Sequence, residues 1–170
     1  MIKYRLFIDF QSPEAEKRWE VINDEVMGGL SKSRLTITPN KTALFEGTVS
    51  LEHNGGFTSV RTNPADFFLD GFKGLTIKAK GDGKRYRLRL RTTETAEGVA
   101  YQTSFETKPD TWIAPFFPFS DFVPFFRGDV VSDAPLLNPA DIRQIGLMIA
   151  DRQPGPFRLE IEWIKAYLAY

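Results

Sequence analysis

The stretch "LTIKAKGDGKRYRLRLRT", from Leu75 to Thr92, decides the fold. Apolar residues stand at every second position on both sides of a "GDGK" turn, which is the pattern of strands that bury one face. The alternation predicts two β-strands, and we expect them to form a hairpin with Ala79 opposite Tyr86. The predicted inner face consists of Leu75, Ile77, Ala79, Tyr86, Leu88 and Leu90.

The same period-two pattern recurs along most of the chain, and helical periodicity is almost absent. Short strands separated by Gly, Pro, Asn and Asp turns are typical of two-sheet sandwiches. The sequence therefore predicts an all-β jelly-roll sandwich of two antiparallel sheets, with residues 1–170 forming a single domain. Strands are predicted at residues 4–10, 33–38, 43–51, 57–62, 75–80, 85–92, 100–106, 142–150 and 157–167.

The composition excludes several kinds of functional site. The chain has no cysteine and one histidine, so disulfides, thiol nucleophiles and three-histidine metal sites are ruled out, and no metal or cofactor is predicted. Basic and acidic residues balance at 22 each. The sequence begins without a signal-peptide pattern, and no apolar run approaches the roughly 20 residues of a membrane helix. These features predict a cytoplasmic protein without a membrane span, at most peripheral to a membrane complex.

The outward positions of the Leu75–Thr92 stretch are basic. Like charges that face each other across a hairpin are destabilising, so something negative is expected nearby. Glu160 and Glu162 on an adjacent strand are one source of that charge, and an acidic protein or a phosphate group is another. RNA-binding sheets carry exposed aromatic rings between basic residues, but Tyr86 is predicted to point inward. Nucleic acid is therefore not a predicted partner.

Two glycine pairs lie in unusual polar surroundings, in "NDEVMGGLS" at residues 23–31 and "HNGGFTSVR" at residues 53–61. A register that places Ile37 opposite Phe45 leaves a three-residue loop at residues 40–42. The same register brings the glycine pairs together at one end of a three-strand meander.

This predicted corner has alternative interpretations. Its glycines can simply allow positive φ and close backbone approach, with an Asp24–Arg61 ion pair locking the turn. Alternatively, its polar groups surround a small ligand or a peptide. The candidate residues are Asn23, Asp24, Met27, Gly28, Gly29, Ser31, Asn54, Gly55, Gly56 and Arg61.

The segment "PFFPFSDFVPFF", residues 115–126, holds six Phe and three Pro. Proline disfavours regular strand pairing, so we expect a crossover whose rings cap one mouth of the sandwich. Its end is predicted to be displayed to a protein partner. Together with the basic strand it gives a predicted partner surface of Arg85, Arg87, Arg89, Phe125, Phe126 and Arg127.

Several long motifs, taken together, resemble the complex I intermediate-associated protein 30 family. They are "NDEVMGGLSKS", "FEGTVSLEHNGGFTSVR", "GLTIKAKGDGKRYRLRLRT", "PFSDFVPFFRG" and "LNPADIRQIGLMIADRQPGPFRLEIEWIKAY", between about Trp19 and Tyr167. The resemblance implies a galactose-binding-like jelly roll, similar to carbohydrate-binding modules. For mitochondrial members it also implies a role in assembling NADH:ubiquinone oxidoreductase, with no catalytic residues.

We therefore expect a non-enzymatic binding protein that helps to assemble or stabilise a membrane-associated redox complex, NADH dehydrogenase-like or photosynthetic. Its partners would be protein subunits of that complex. The alternative is a carbohydrate-binding module for a sugar or glycan, with Trp19, Trp112 and Trp163 as candidate aromatic rings. An enzyme ranks third, because the sequence shows no catalytic constellation.

Overall fold

The computed structural model describes residues 2–24, 28–93 and 98–169, which form strands joined by loops and four 3-10 turns. The 3-10 turns are Ala15–Arg18, Glu52–Asn54, Phe119–Asp121 and Pro139–Asp141. The strands are β1 (Ile2–Asp9), β2 (Trp19–Asn23), β3 (Lys32–Ile37), β4 (Ala43–Val49), β5 (Thr58–Thr62), β6 (Gly74–Lys80), β7 (Arg85–Thr92), β8 (Ala100–Glu106), β9 (Trp112–Ile113), β10 (Phe116–Pro118), β11 (Val123–Phe126), β12 (Asp129–Val130), β13 (Ile142–Ile149) and β14 (Gly155–Ala169).

The strands form two seven-stranded sheets. The first sheet has the order β10-β6-β14-β4-β3, with β1 beside β14 and β9 beside β6. The second sheet has the order β12-β11-β8-β7-β13-β5-β2. The paired strands run antiparallel, so the predicted all-β sandwich of two antiparallel sheets is confirmed.

The core lies between the two sheets and contains the inner faces that alternation predicts. All six apolar residues of the 75–90 stretch have 0% exposure. Phe45 packs edge-on against Phe157, and Tyr86 also contacts Phe157, so the two sheets meet through aromatic rings. Every second residue of these strands thus enters the core, and the intervening residues point away from it.

The predicted hairpin between β6 and β7 is wrong, because the two strands belong to different sheets. Strand β6 lies between β14 and β10, and β7 lies between β13 and β8, so neither has a free side for the other. The basic residues are consequently split between the sheets. On the first sheet, Lys78 pairs with Glu162 at 3.1 Å and Lys80 with Glu160 at 3.6 Å. These two glutamates neutralise the lysines, whereas the arginines of β7 lie on the other sheet.

The predicted register of β3 and β4 is displaced by two residues. Leu35, rather than Ile37, lies opposite Phe45. The three-residue loop comprises residues 39–41, and Lys41 has a φ of 61°. A shift of two keeps each side chain on its predicted face. The predicted three-strand meander is also wrong, since β5 pairs with β2 and β13 in the second sheet.

The phenylalanine-rich segment forms two short strands, where the prediction was an irregular crossover. Strand β10 pairs with β6, and β11 pairs with β8 and β12. Pro118 is tolerated in β10 because this strand is at the edge of its sheet, where one side needs no donor. Phe117, Phe119 and Phe122 are buried. Their burial agrees with the prediction that rings of this segment cover one end of the core.

A register shift in β14, between Ile161 and Trp163, changes which residues face the core. Ile161 and Ile164 are both buried, whereas Trp163 is only partly buried and carries the ammonium of Lys165 at 4.1 Å from its ring centre. Strict alternation from Ile161 would place Trp163 inward, but the bulge reverses the alternation at this point.

Candidate functional site

The two glycine pairs meet around one buried carboxylate, that of Asp24, which has 0% exposure. Its Oδ1 accepts a hydrogen bond from the Ser31 backbone N–H at 2.9 Å. Its Oδ2 accepts from the Ser31 hydroxyl at 2.5 Å, and from the backbone N–H groups of Gly56 at 2.7 Å and Phe57 at 3.3 Å. One side chain therefore joins three segments that are distant in sequence.

The hydrogen bonds at Asp24 favour its ionised form. Burial raises the pKa of this carboxyl, but the bonds from Ser31, Gly56 and Phe57 outweigh burial and lower the pKa below its ordinary value of 3.8. The glycines leave room for this arrangement. A Cβ at Gly29 would lie 2.4 Å from the Asp24 carboxyl carbon, and a Cβ at Gly55 would lie 2.5 Å from its Oδ2.

The other predicted corner residues have different positions. Asn23 accepts a hydrogen bond from the Ser33 hydroxyl at 2.7 Å, which links the two sheets. Gly28 has a φ of 87° and adjoins open space. The backbone of Asn54 ends a 3-10 turn. The Asn54 side chain and the whole of Met27 lie outside the described part of the chain.

Arg61 does not pair with Asp24; its Nε contacts Glu20 Oε1 at 2.8 Å. Because the described polar atoms of the corner bond within the chain, its geometry favours the structural interpretation. A ligand at this corner stays a prediction.

A second site, which we term the arginine cleft, is a concavity of about 740 Å³ on the outer face of the second sheet. Its basic residues are Arg61, Arg87, Arg89, Arg91 and Arg127. Three of them alternate along β7 with the buried Tyr86, Leu88 and Leu90, which explains why they point away from the core.

The arginines of the cleft are incompletely neutralised. Arg61 pairs with Glu20, Arg87 pairs with Asp151, and the Nε of Arg89 donates to Gln102 Oε1 at 3.2 Å. Within residues 2–24, 28–93 and 98–169, Arg89, Arg91 and Arg127 have no carboxylate within 4.0 Å.

Burial and the neighbouring charges of Arg91, Arg87 and Arg61 lower the pKa of Arg89 to about 10. Burial and the charge of Arg61 likewise lower the pKa of Arg91. At neutral pH both guanidinium groups remain charged, so the cleft is strongly cationic.

A tight hairpin turn displays the end of the predicted partner surface. Phe126 lies opposite Asp129, and the two turn residues Arg127 and Gly128 have φ values of 51° and 85°. Positive φ at both central residues is the geometry of a type I′ turn, which matches the twist of its strands. The Arg127 guanidinium lies over the Phe126 ring at 5.1 Å.

The structure brings together most of the predicted partner surface. Arg87, Arg89, Phe125 and Arg127 line the arginine cleft, whereas Phe126 and the exposed Arg85 are not among its lining residues.

The sequence reasoning missed several residues of the cleft. Arg91 continues the outward alternation of β7, so that pattern could have included it. Gly146 interrupts a predicted apolar strand, which is a signal for close approach of another group. Phe57 and Met148 gave no signal of this kind, because their place in the cleft depends on which strands are neighbours.

A search of the described ranges finds no group of three His, Cys, Asp or Glu side chains that could hold a metal ion. In the same part of the chain, no helix has the length and hydropathy needed to cross a membrane.

The family model for Complex I intermediate-associated protein 30 matches residues 8–161. An uncharacterized protein of Schizosaccharomyces pombe is 30% identical over 185 residues, which cover 95% of this chain and 84% of that protein. The Neurospora crassa protein named Complex I intermediate-associated protein 30, mitochondrial, is 25% identical over 194 residues. The match covers 91% of this chain and 70% of the Neurospora protein. The mouse protein of the same name is 27% identical over 98% of this chain, which spans only 57% of the mouse protein.

A solved structure shows the same fold. It is a family 11 carbohydrate-binding module from Clostridium thermocellum, in complex with a beta-1,3-1,4-mixed-linked tetrasaccharide. The TM-score is 0.70 at 16% identity, over 96% of this chain and 94% of the module. The likeness confirms the predicted jelly-roll fold, and at this identity it carries no more than fold.

The prediction of a cytoplasmic location is wrong, because the Neurospora crassa and mouse relatives are named as mitochondrial proteins. Composition could not reveal this, since the absence of cysteine restricts redox chemistry without specifying a compartment. The matched residues cover most of the chain and include the motifs that carry the resemblance. The chain belongs to the Complex I intermediate-associated protein 30 family.

Proposed function

We propose that this chain is a non-enzymatic protein-binding module that helps to assemble or stabilise a membrane-associated redox complex of the complex I type in mitochondria. The observation that carries this proposal is the match of residues 8–161 to a family whose relatives are named for association with complex I intermediates. The partners would be protein subunits of that complex.

The contact surface we propose is the rim of the arginine cleft with the adjoining turn. Phe126 is 38% exposed beside the exposed Arg127, so an apolar ring and a cation are offered together. Aromatic and arginine side chains are the residues that contribute most to protein interfaces. The unpaired positive charge favours a partner with an acidic surface, which charge attraction also brings into contact faster.

Carbohydrate binding is less well supported by the site. A sugar platform needs an exposed aromatic ring with polar groups beside it, yet the tryptophans are not among the residues that line the cleft. Trp112 is 37% exposed, but the ammonium groups of Lys78 and Lys80 lie over its ring, 5.5 and 5.3 Å from the ring centre. These lysines occupy ring surface that a sugar would need.

Reversing one exposed charge that lines the cleft, that of Arg127, tests the proposed surface. The Arg127→Glu variant is expected to lose capture of redox-complex subunits from mitochondria of the native cells, because attraction to the acidic partner becomes repulsion. The measurement is affinity capture of the tagged chain followed by mass spectrometry.

The matched control for this experiment is Lys108→Glu, which makes the same change of charge at an exposed lysine that does not line the cleft. Wild type and control should capture the same subunits. If the rim variant is folded and captures them equally well, this surface is not the contact site.

A further inference from the structure

The centre of the arginine cleft lies over a glycine that separates two arginines. Gly146 on β13 is directly opposite Arg61 on β5 and directly opposite Arg89 on β7. The three strands are neighbours, so the backbones of the two arginines are roughly 10 Å apart. Gly146 lines the cleft between them without adding a side chain, and a Cβ there would lie 3.2 Å from the Cβ of Arg61.

Each of these arginines is held by the residue directly opposite it on the next strand outward, which is Glu20 for Arg61 and Gln102 for Arg89. Arg61 contacts Glu20 through its Nε, and Arg89 contacts Gln102 through its Nε. In the described ranges the terminal nitrogens of Arg61 and Arg89 have no hydrogen-bond acceptor. Each side chain is thus positioned by one bond, with its remaining donors free for a ligand.

The charge of the cleft calls for a multiply charged anion. Five arginines line it, and the carboxylates paired with them are Glu20 and Asp151, so the described charges leave a net +3. The lowered pKa of Arg89 arises partly from repulsion by its neighbouring arginines. An anion over Gly146 would interact favourably with several guanidinium groups at once.

The shape of the cleft suits a small organic molecule. Its volume of about 740 Å³ lies within the range of ligand pockets, ~300–1,000 Å³. Phe57, Phe125 and Met148 give it apolar surface beside the arginines. Arginine is well suited to phosphate, because its planar fork donates two parallel hydrogen bonds to two phosphate oxygens.

We propose that the arginine cleft binds a small organic phosphate, with the phosphate over Gly146 between Arg61 and Arg89 and the organic part against Met148 and Phe57, which lie on the same side of Gly146. This goes beyond the assembly role and does not depend on it. A nucleotide and a sugar phosphate share this chemistry, and the organic part distinguishes them.

The test is isothermal titration calorimetry of the full chain with AMP, glucose 6-phosphate and pyrophosphate, and with adenosine and glucose as phosphate-free probes. We expect binding of phosphate-bearing probes only, weakening as salt is raised. AMP and glucose 6-phosphate are both monophosphates, so tighter binding of AMP identifies a nucleotide site and the reverse order identifies a sugar-phosphate site. Arg89→Met is expected to weaken binding at least about tenfold.

The matched control is Arg34→Met, since Arg34 is paired with Glu46 on the other sheet and its side chain is 71% exposed. Removing a half-buried charge that is repelled by its neighbours should also raise the unfolding temperature of the ligand-free Arg89→Met chain, and a cooperative transition shows that the variant folds. Arg91→Gln is the second variant. The proposal is overturned if no phosphate-bearing probe binds at millimolar concentration, or if folded Arg89→Met and Arg91→Gln bind as wild type does.

Discussion

Replacing Asp24 with alanine is expected to lower the free energy of unfolding by about 4 kcal/mol. The substitution leaves the backbone N–H groups of Ser31, Gly56 and Phe57 without their acceptor, at a position with 0% exposure. Folded proteins are stable by only about 5–15 kcal/mol, so about a quarter of the margin or more would be lost. Equilibrium unfolding in urea measures the change.

The Asp24→Asn variant separates charge from shape. It keeps one carbonyl oxygen and the side-chain volume, so we expect a smaller loss of about 2 kcal/mol. A loss below about 1 kcal/mol for the alanine variant would contradict the central role given to this carboxylate.

The same residue should make stability sensitive to acid. Because the pKa of Asp24 in the folded state lies below its ordinary value of 3.8, its ionised form stabilises the fold fully above that pH. The contribution disappears as pH falls through the lower folded pKa. The difference in stability between wild type and Asp24→Asn should therefore shrink between about pH 5 and about pH 2.

Gly29→Ala is expected to destabilise the chain by about 3 kcal/mol, although it adds a single methyl group. The new Cβ would stand 2.4 Å from the Asp24 carboxyl carbon and 2.5 Å from Oδ1, distances that real Cβ atoms essentially never show. Asp24 would have to move, which breaks the 2.9 Å bond from the Ser31 N–H to Oδ1. Thermal and urea unfolding both report this loss.

The neighbouring Gly28 is the control for this substitution. A Cβ at Gly28 meets no atom within 4 Å, so Gly28→Ala carries only the strain of its φ of 87°, about 1 kcal/mol. Equal losses of stability from the two substitutions would mean that the glycines are needed only for their backbone conformation. The space that Gly29 leaves beside Asp24 would then be unimportant.

The sequence was sufficient to predict which residues face the core, because alternation is a local property. The residues from Leu75 to Leu90 that were assigned to the inner face are all buried. Strand partners could not be predicted in the same way. The four residues between β6 and β7 suggest a hairpin, but here they connect the two sheets. Asp82 stabilises this crossing, since its Oδ2 accepts from the Arg158 N–H at 2.9 Å.

The candidate sites show the same division between local and long-range information. The outward arginines of β7 follow from alternation, and the meeting of the two glycine pairs was predicted despite a wrong register. The place of Arg61 in the cleft depends on β5 lying beside β13, which brings it opposite Gly146. Its partner Glu20 belongs to β2, a strand that the pattern did not predict.

The central claim is that the rim of the arginine cleft contacts subunits of a mitochondrial redox complex. The most direct test is photo-crosslinking in native mitochondria with benzoylphenylalanine at Phe125, which lines the cleft, or at Tyr4, which is 49% exposed on the first sheet. We predict adducts with subunits of a complex I type assembly from position 125 and none from position 4. Adducts from position 4, with none from position 125, would contradict the account.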